Sequence, residues 1–239
     1  MVIAILGAMQ AEVEPLLKKY DCSKVSYLSN DFYMAHYKGV DLIITHSKIG
    51  KVFSSIISTI LIERFKAEAI IFTGIAGAVN PELSLGDVVI ASSTVQHDID
   101  ITAFNHPHGY IPGSNVHINI NNRFTDMAEK CTKVCGINYI KGVIATGDQF
   151  VNDDSKKDFI KSNFQADAIE MEGGSVNQVC SMYNIPLALI RSISDLANGN
   201  SALDYKQIEK LAINNALKIT TAVVDEVVNE TKCGNLNLQ

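Results

Sequence analysis

The segment Ala69-Ile70-Ile71-Phe72-Thr73 is an unbroken apolar stretch that ends at Gly74 and predicts a strand buried on both faces. Similar short runs rich in β-branched residues recur along the chain, at residues 2–6, 41–45, 87–91, 142–146, 166–171 and 187–194. Helical patterns separate several of them, at residues 9–19, 52–65 and 205–229. This alternation predicts an α/β fold: a three-layer α/β/α domain with a central mixed, twisted sheet.

Length and composition are those of an ordinary globular domain. The 239 residues are 47% apolar, which is enough to bury a sizeable core without disulfides or metals. Neither a linker nor a low-complexity segment interrupts the chain, and no repeat is visible. We therefore expect a single domain over residues 1–239, with a flexible tail of a few residues at the C-terminus.

The charge and the cysteine content indicate which partners the protein can bind and in which cellular compartment it resides. The net charge is −6 and the 20 Lys and Arg residues are scattered, which disfavours a nucleic-acid interface. Met1 leads directly into an apolar strand pattern without basic residues, and no apolar stretch is long enough to cross a bilayer. The five cysteines are odd in number and scattered, which fits a reducing compartment. These features predict a cytoplasmic protein that binds neither nucleic acid nor membranes.

Side chains and glycine-rich segments that could bind a ligand or take part in catalysis follow several of the predicted strands. In open α/β sheets, ligands bind beyond the carboxyl ends of the strands, so these groups are expected to share one crevice. They are Met9 and Glu12, Gly74-Ile75-Ala76-Gly77, Gly147-Asp148-Gln149-Phe150-Val151, Glu170-Met171-Glu172-Gly173-Gly174, Arg191, and Ser194-Asp195.

Each of these groups also has a plain structural interpretation. The glycines of Gly74-Ile75-Ala76-Gly77 lack the dinucleotide-binding spacing and suit a tight turn. Glu12 suits a solvated residue favoured by the helix dipole, and Asp195 suits the N-cap of a following turn. Glu172 is more telling, since an acid that closes an apolar strand is costly to bury unless it is paired or functional.

Six segments, taken in order, resemble those of the 5′-methylthioadenosine/S-adenosylhomocysteine nucleosidases, which belong to the nucleoside phosphorylase superfamily. The resemblance covers nearly the whole chain and implies a nucleoside phosphorylase-like fold. The segments are Gly7-Ala8-Met9-Gln10-Ala11-Glu12, Ser47-Lys48-Ile49-Gly50-Lys51, Thr73-Gly74-Ile75-Ala76-Gly77, Gly147-Asp148-Gln149-Phe150-Val151, Glu170-Met171-Glu172-Gly173 and Arg191-Ser192-Ile193-Ser194-Asp195.

The resemblance implies a reaction without a cofactor or metal, in which water attacks C1′ of the ribose and adenine leaves. By similarity, Asp195 is the general acid toward N7 of the purine and must hold or share a proton near neutral pH. Glu12 activates the water, with Arg191 helping to organise it. Glu172 accepts hydrogen bonds from the 2′ and 3′ hydroxyls, where its charge also faces the positive ribose of the transition state.

The same resemblance implies a pocket and a second subunit. The ring of Phe150 stacks on adenine, while the Val151 backbone and the Asp195 side chain read the edge of the base. The apolar walls around the sugar and the 5′ tail are Met9, Ile49, Met171 and Tyr205. The residues expected to close the 5′ pocket of a partner subunit, and hence to imply a homodimer, are Ile101, Phe104 and Pro112.

One position departs from the family, because many relatives carry serine where this chain has Ile75. That serine hydroxyl helps to orient the catalytic acid, so Ser194 or a backbone group is the expected substitute. The implied substrates are the adenine nucleosides 5′-methylthioadenosine and S-adenosylhomocysteine, with 5′-deoxyadenosine and aminodeoxyfutalosine as further candidates. Side-chain identities do not rank them, because one methylene contact is worth only about 1–3 kcal/mol.

Three other functions are weighed against this one. A phosphorylase would need a cation for phosphate in the first loop, which here has none and carries Glu12. A nucleoside sensor would have no need of both Glu12 and Asp195. A metal site at His97, Asp98 and Asp100 or at His106 and His108 has compatible spacing, but a polar loop is favoured.

Overall fold

The structure is a computed structural model that describes residues 1–120, 122–196 and 205–233. Its described strands are β1 (Val2–Gly7), β2 (Ser23–Tyr27), β3 (Asn30–Tyr37), β4 (Val40–His46), β5 (Ala69–Ala78), β6 (Val88–Gln96), β7 (Ile118–Asn119), β8 (Tyr139–Thr146), β9 (Ala168–Glu170) and β10 (Leu187–Asp195). Its described α-helices are α1 (Gln10–Lys19), α2 (Lys51–Glu63), α3 (Arg123–Cys135), α4 (Asp154–Phe164), α5 (Gly173–Tyr183) and α6 (Tyr205–Lys232). A short 3₁₀ turn covers Thr102–Phe104.

The ten described strands form one mixed sheet, in the order β10-β6-β8-β9-β5-β1-β4-β3-β2, with β7 beside β6. Strands β1, β4, β5 and β10 run parallel, as do β6, β8 and β9. Because β10 also pairs with β5, the strands β5, β10, β6, β8 and β9 close into a ring. The mixed sheet predicted from the sequence is confirmed. The closure of five strands into a ring was not predicted, because hydrophobic periodicity does not indicate which strands pair.

Helices cover both faces of the sheet, which explains why its central strands are apolar throughout. Helices α1, α3 and α6 enclose one core, and α2 and α5 enclose a second. A smaller cluster lies under α4. Residues 69–74 of β5 are buried on both faces, as the sequence predicts for that stretch.

Strand β5 does not end at Gly74 as predicted, and the alternative interpretation of Gly74-Ile75-Ala76-Gly77 as a tight turn is also wrong. The strand continues to Ala78, because its far end finds partners on two sides: Gly77 lies opposite both Asp195 of β10 and Ile169 of β9. Glycine within a strand is tolerated where another group approaches the backbone closely. The extension carries Ile75, Ala76 and Gly77 to the carboxyl end of β10.

The hairpin formed by β2 and β3 is a second element that the sequence patterns did not predict. Strand β2 is exposed along its whole length, and β3 is only partly buried at the edge of the sheet. These strands therefore lack the continuous apolar runs that mark the central ones. Strands β6 and β8 are also longer than predicted, and β9 is shorter.

Some predictions concern parts of the chain of which little is described. The final helix begins at Tyr205, as predicted, but the Tyr205 side chain and the predicted C-terminal tail lie outside the described residues.

All five cysteines are free thiols. Within the described ranges, no helix is long and apolar enough to cross a membrane.

Candidate active site

A cavity of about 200 Å³ opens at the carboxyl ends of β1, β5, β9 and β10. It brings together the predicted carboxylates Glu12, Glu172 and Asp195. Its lining consists of Ala8, Met9, Glu12, Ile49, Ile75, Ala76, Gly77, Phe150, Ile169, Glu170, Met171, Glu172, Ser194 and Asp195. The predicted crevice at the strand ends therefore exists.

Glu12 lies in the first turn of α1 and is almost fully buried, with 3% of its surface exposed. One carboxylate oxygen, Oε2, accepts hydrogen bonds from the backbone N–H groups of Ala8 at 2.7 Å and Met9 at 2.8 Å. The other, Oε1, accepts the N–H of Ile75 at 3.0 Å. The solvated interpretation of Glu12 is therefore wrong. Two backbone donors at the N-terminus of α1 and one from β5 make a site suited to an anion, and Glu12 itself fills it.

Burial raises the pKa of Glu12 above the ordinary value of a glutamate. The positive charge of Arg191 and the three N–H groups act in the opposite direction but do not cancel the burial. A carboxyl group with a raised pKa is better able to take a proton from water than an ordinary surface carboxylate.

Gly74 allows this carboxylate to approach the strand. A Cβ atom at Gly74 would lie 2.5 Å from Glu12 Oε1 and 3.0 Å from Arg191 Nη1. Any side chain here would have to displace the carboxylate or the guanidinium. The glycine of the predicted turn therefore has a different use, which is to leave room for two charged groups.

Arg191 is the largest of the fully buried side chains and lies in the middle of the apolar strand β10. Its Nη2 and Nε atoms donate to Glu170 Oε2 at 2.8 and 3.3 Å. Its guanidinium also stacks on the ring of Phe72, 4.0 Å from the centroid. A buried guanidinium requires such a partner, because an uncompensated charge in an apolar core is very costly.

Glu170 also holds the chain on the other side. Its Oε2 accepts the N–H of Gly173 at 2.7 Å and of Glu172 at 3.2 Å, and its Oε1 accepts the hydroxyl of Thr146. One carboxylate thus fixes both Arg191 and the start of α5, where Glu172 lies.

Glu172 is 5% exposed and occupies the N-cap position of α5, but its side chain makes no capping hydrogen bond. Its Oε1 accepts the N–H of Gly50 at 2.8 Å, which connects it to the loop before α2. Burial, and secondarily the charge of Glu170, raise the pKa of Glu172 to about 8. The free protein therefore retains a proton on this carboxyl at neutral pH.

Asp195 is the last residue of β10 and is 9% exposed. Its interpretation as the N-cap of a following turn concerns residues outside the described ranges. A bulge in the β5 pairing separates Asp195 from Ile193. The hydroxyl Oγ of Ser194 lies 3.0 Å from Asp195 Oδ2 and 3.4 Å from the carbonyl oxygen of Ala76. Ser194 thus makes the contact expected of a substitute for the missing serine at Ile75, whose own N–H serves Glu12.

Of the predicted apolar walls, Met9, Ile49 and Met171 line the cavity. Ile75 also lines it, as does Phe150, which is 67% exposed. Buried Val151 lies next to Asp195 and Met171 in a small adjoining cavity.

The residues predicted to close a partner's pocket are not brought to this cavity. Ile101 is half-buried and Pro112 is exposed. Phe104 is 75% exposed. None of the three lines the cavity of its own chain, and the closure of a second subunit's pocket stays a prediction.

The candidate metal ligands do not converge. Within residues 1–120, 122–196 and 205–233, no three His, Cys, Asp or Glu side chains come together as a metal site. Asp98 pairs with Lys51, and Asp100 caps the 3₁₀ turn by accepting the N–H of Thr102.

Sequence reasoning gave Glu170 no role, although it stands within a quoted segment. The signal that would have found it is Arg191, since an arginine inside an apolar strand needs a buried counter-charge. Ala8 likewise received no individual role, because it acts through its backbone N–H, whereas Ala76 and Gly77 line the cavity as expected of their segment.

A family model described as the phosphorylase superfamily matches residues 2–225 of the chain. The aminodeoxyfutalosine nucleosidase of Campylobacter jejuni is 42% identical and covers 92% of this chain and 98% of its own length. The 5′-methylthioadenosine/S-adenosylhomocysteine nucleosidase of Anoxybacillus flavithermus is 36% identical, with coverage of 95% and 99%. A Francisella philomiragia crystal structure assigned to the same nucleosidases has a TM-score of 0.90 and 46% identity, with coverage of 94% and 98%. The similarity thus spans nearly the full length of all these chains.

The raised pKa of Glu172 predicts a pH dependence of stability. The folded state keeps this proton up to about pH 8, whereas the unfolded chain releases it near 4.5. The stabilisation is therefore complete below about pH 4.5 and is lost as the pH rises through about 8. We expect the free energy of unfolding, measured with urea between pH 5 and pH 8, to fall less steeply in Glu172→Gln than in the wild type.

The exposed Glu82→Gln variant is the matched control and should retain the wild-type slope. Some slope should persist in Glu172→Gln, because the pKa of Glu12 is also raised. Equal slopes for wild type and Glu172→Gln would mean that Glu172 is already ionised in the folded protein.

Proposed function

Because this chain belongs to the phosphorylase superfamily and is, like its relatives, an N-ribosyl hydrolase of adenine nucleosides, we propose that its substrates are 5′-methylthioadenosine and S-adenosylhomocysteine. Family membership confirms the resemblance that the motifs predicted. The products would be adenine and the corresponding 5′-thioribose. The relatives support cleavage of the N-glycosidic bond, whereas the identity of the 5′ substituent is part of the proposal.

The observation that carries the choice of water over phosphate is the placement of Glu12. The N–H groups of Ala8, Met9 and Ile75 would suit a phosphate oxygen, but the carboxylate of Glu12 occupies them. A second anion at the same place would meet like charge. A neutral water molecule next to a carboxyl group with a raised pKa meets neither obstacle.

Catalysis follows from the charges around the ribose. As the bond between C1′ and the purine breaks, positive charge develops on the sugar. Glu12 takes the proton of the attacking water, and the charge of Arg191 lies close enough to lower the pKa of Glu12. Glu172 accepts hydrogen bonds from the ribose hydroxyls and stabilises the positive sugar once it is ionised.

The purine leaves at the other end of the cavity. Asp195 donates to N7 of adenine, and Ser194 Oγ, 3.0 Å from Asp195 Oδ2, orients it. The exposed ring of Phe150 stacks on the base, and the adjoining small cavity at Val151 admits its edge. Met9, Ile49 and Met171 contact the sugar and the tail, whereas the wall residue Tyr205 has a side chain outside the described residues.

A second subunit completes the substrate pocket in this proposal. Phe104 is a large apolar side chain that is 75% exposed, and Ile49 and Phe150 at the cavity mouth are 54% and 67% exposed. Burying such side chains against a second copy removes apolar surface from water. Ile101, Phe104 and Pro112 would then close the 5′ pocket of a partner in a homodimer. The free cysteines fit a cytoplasmic location.

Aminodeoxyfutalosine is a second candidate substrate, because the 42% identical Campylobacter jejuni relative is named for it. It shares the adenine and the ribose with the other substrates and differs in the 5′ tail. The groups of the cavity that face the base and the sugar would serve all of these nucleosides alike, including 5′-deoxyadenosine.

Product analysis tests the proposed reaction. The protein is incubated with 5′-methylthioadenosine, with and without inorganic phosphate, and the base and sugar are identified. We expect free adenine and unphosphorylated methylthioribose at the same rate in both samples. A sugar 1-phosphate and a phosphate-dependent rate would contradict the role of Glu12. No adenine from this substrate, but adenine from aminodeoxyfutalosine, would replace the proposed substrate by the second candidate.

Asp195→Asn tests the acid. The amide cannot deliver the proton to N7, so turnover should fall by about 10²–10⁴-fold, while the affinity for an uncleavable nucleoside analogue stays within a few fold. Steady-state kinetics and analogue titration measure the two quantities. Wild-type turnover in this variant would remove Asp195 from the role of acid.

A further inference from the structure

A network of three charged residues lies beside the cavity, and the mechanism above gives it no role. Lys51 Nζ and Asp98 Oδ1 are 2.6 Å apart, and the two side chains are only 14% and 13% exposed. Asp98 Oδ2 accepts the backbone N–H of Asp148 at 2.9 Å. Asp148 Oδ1 in turn accepts the backbone N–H of Lys51 at 2.8 Å. The three residues thus form a closed ring of ion pair and hydrogen bonds.

The ring joins two loops that meet the substrate at different places. Lys51 begins α2 and follows Ile49, which lines the cavity, and Gly50, whose N–H binds Glu172. Asp148 lies two residues before Phe150, whose aromatic side chain is at the mouth of the cavity. These two loops are almost 100 residues apart in sequence, and Asp98, just beyond the end of β6, binds both.

The geometry of the first loop makes such support necessary. Gly50 has a φ of +100°, a backbone conformation that side chains rarely adopt. A Cβ atom there would lie 3.1 Å from Asp148 Oδ1, so the two loops are in close contact at this point. The N–H of Gly50 and the N–H of Lys51 are directed to different acceptors, Glu172 and Asp148. A shift of Asp148 would therefore move the donor that positions Glu172.

The ion pair is more than a surface contact. A pair that is mostly buried is screened by salt far less than an exposed one. Burial raises the pKa of Asp98, but the hydrogen bonds from Lys51 and from the Asp148 N–H outweigh that effect and hold it below its ordinary value. Asp98 is therefore charged at neutral pH and remains paired.

We infer that Lys51, Asp98 and Asp148 are positioning residues that couple the purine loop to the ribose loop, so that the two halves of an adenine nucleoside bind better together than separately. This inference rests on the proposed function, since it takes Phe150 as the base contact and Glu172 as the sugar contact. Breaking the ring leaves each contact in place but lets the two loops move independently.

The test compares the affinity for a complete nucleoside analogue with the affinity for the base alone. The probes are adenine alone and a C-nucleoside analogue of 5′-methylthioadenosine, in which a carbon–carbon bond replaces the cleavable bond. In Lys51→Met and in Asp98→Asn, the analogue should bind about tenfold more weakly, while adenine changes by less than about threefold. The KM for the substrate should rise with the analogue affinity, and kcat should change less.

Two further variants separate coupling from general damage. Lys51→Arg retains the charge and should recover most of the affinity for the analogue. The double variant Lys51→Met/Asp98→Asn should be no weaker than the worse single variant, because both remove the same interaction. Lys130→Met removes the same charge from a more exposed ion pair with Glu226 between α3 and α6, away from the cavity, and should change the affinity for neither ligand. If Lys51→Met does not fold, Asp98→Asn and Lys51→Arg still make the comparison.

An equal loss of affinity for adenine and for the analogue would overturn the inference, because the ring would then support the purine loop alone. Unchanged affinity for both ligands would overturn it as well. These outcomes are independent of the proposed function, which fails if the wild-type protein releases no adenine from any of the candidate nucleosides.

Discussion

The carboxylate of Glu12 is bound by three backbone N–H groups, and the chemistry of the cavity depends on this one interaction. The N–H groups at the start of a helix are a general site for anions, in phosphate-binding folds above all. Here the chain supplies its own carboxylate, so the position that could hold a phosphate oxygen is filled by Glu12. A phosphorylase and a hydrolase can therefore share this sheet and differ in what occupies the N-terminus of α1.

The remaining charges are arranged so that a buried site can tolerate several carboxylates. Glu170 neutralises Arg191 and fixes the start of α5. Glu12 and Glu172 face the field of the same guanidinium, yet burial still raises the pKa of both. Glu172 thus holds a proton at neutral pH, and the cavity carries carboxyl groups close to where a positive charge would develop. A reaction that creates positive charge on a sugar matches such a cavity, because the charge would be stabilised where it develops.

Much of this arrangement could be predicted from the sequence, and the limits have physical reasons. The continuous apolar runs identify the central strands, and the strand ends identify Glu12, Glu172 and Asp195, because both signals are local. The course of β5 beyond Gly74 is decided by pairing with β9 and β10, which no local pattern records. The β2–β3 hairpin is exposed and lacks an apolar run. The ring of Lys51, Asp98 and Asp148 joins residues that are 47 and 50 positions apart, so only the folded chain reveals it.

The most direct test of the account removes Glu12 and offers its site to another carboxylate. Glu12→Ala leaves the N–H groups of Ala8, Met9 and Ile75 free, whereas the amide of Glu12→Gln still fills the space. Both variants should hydrolyse 5′-methylthioadenosine very slowly. Added formate should raise the rate of Glu12→Ala, leave Glu12→Gln unchanged and have no effect on the wild type. No rescue of Glu12→Ala, in a variant that still binds the nucleoside analogue, would contradict the account of Glu12 as the base held in an anion site.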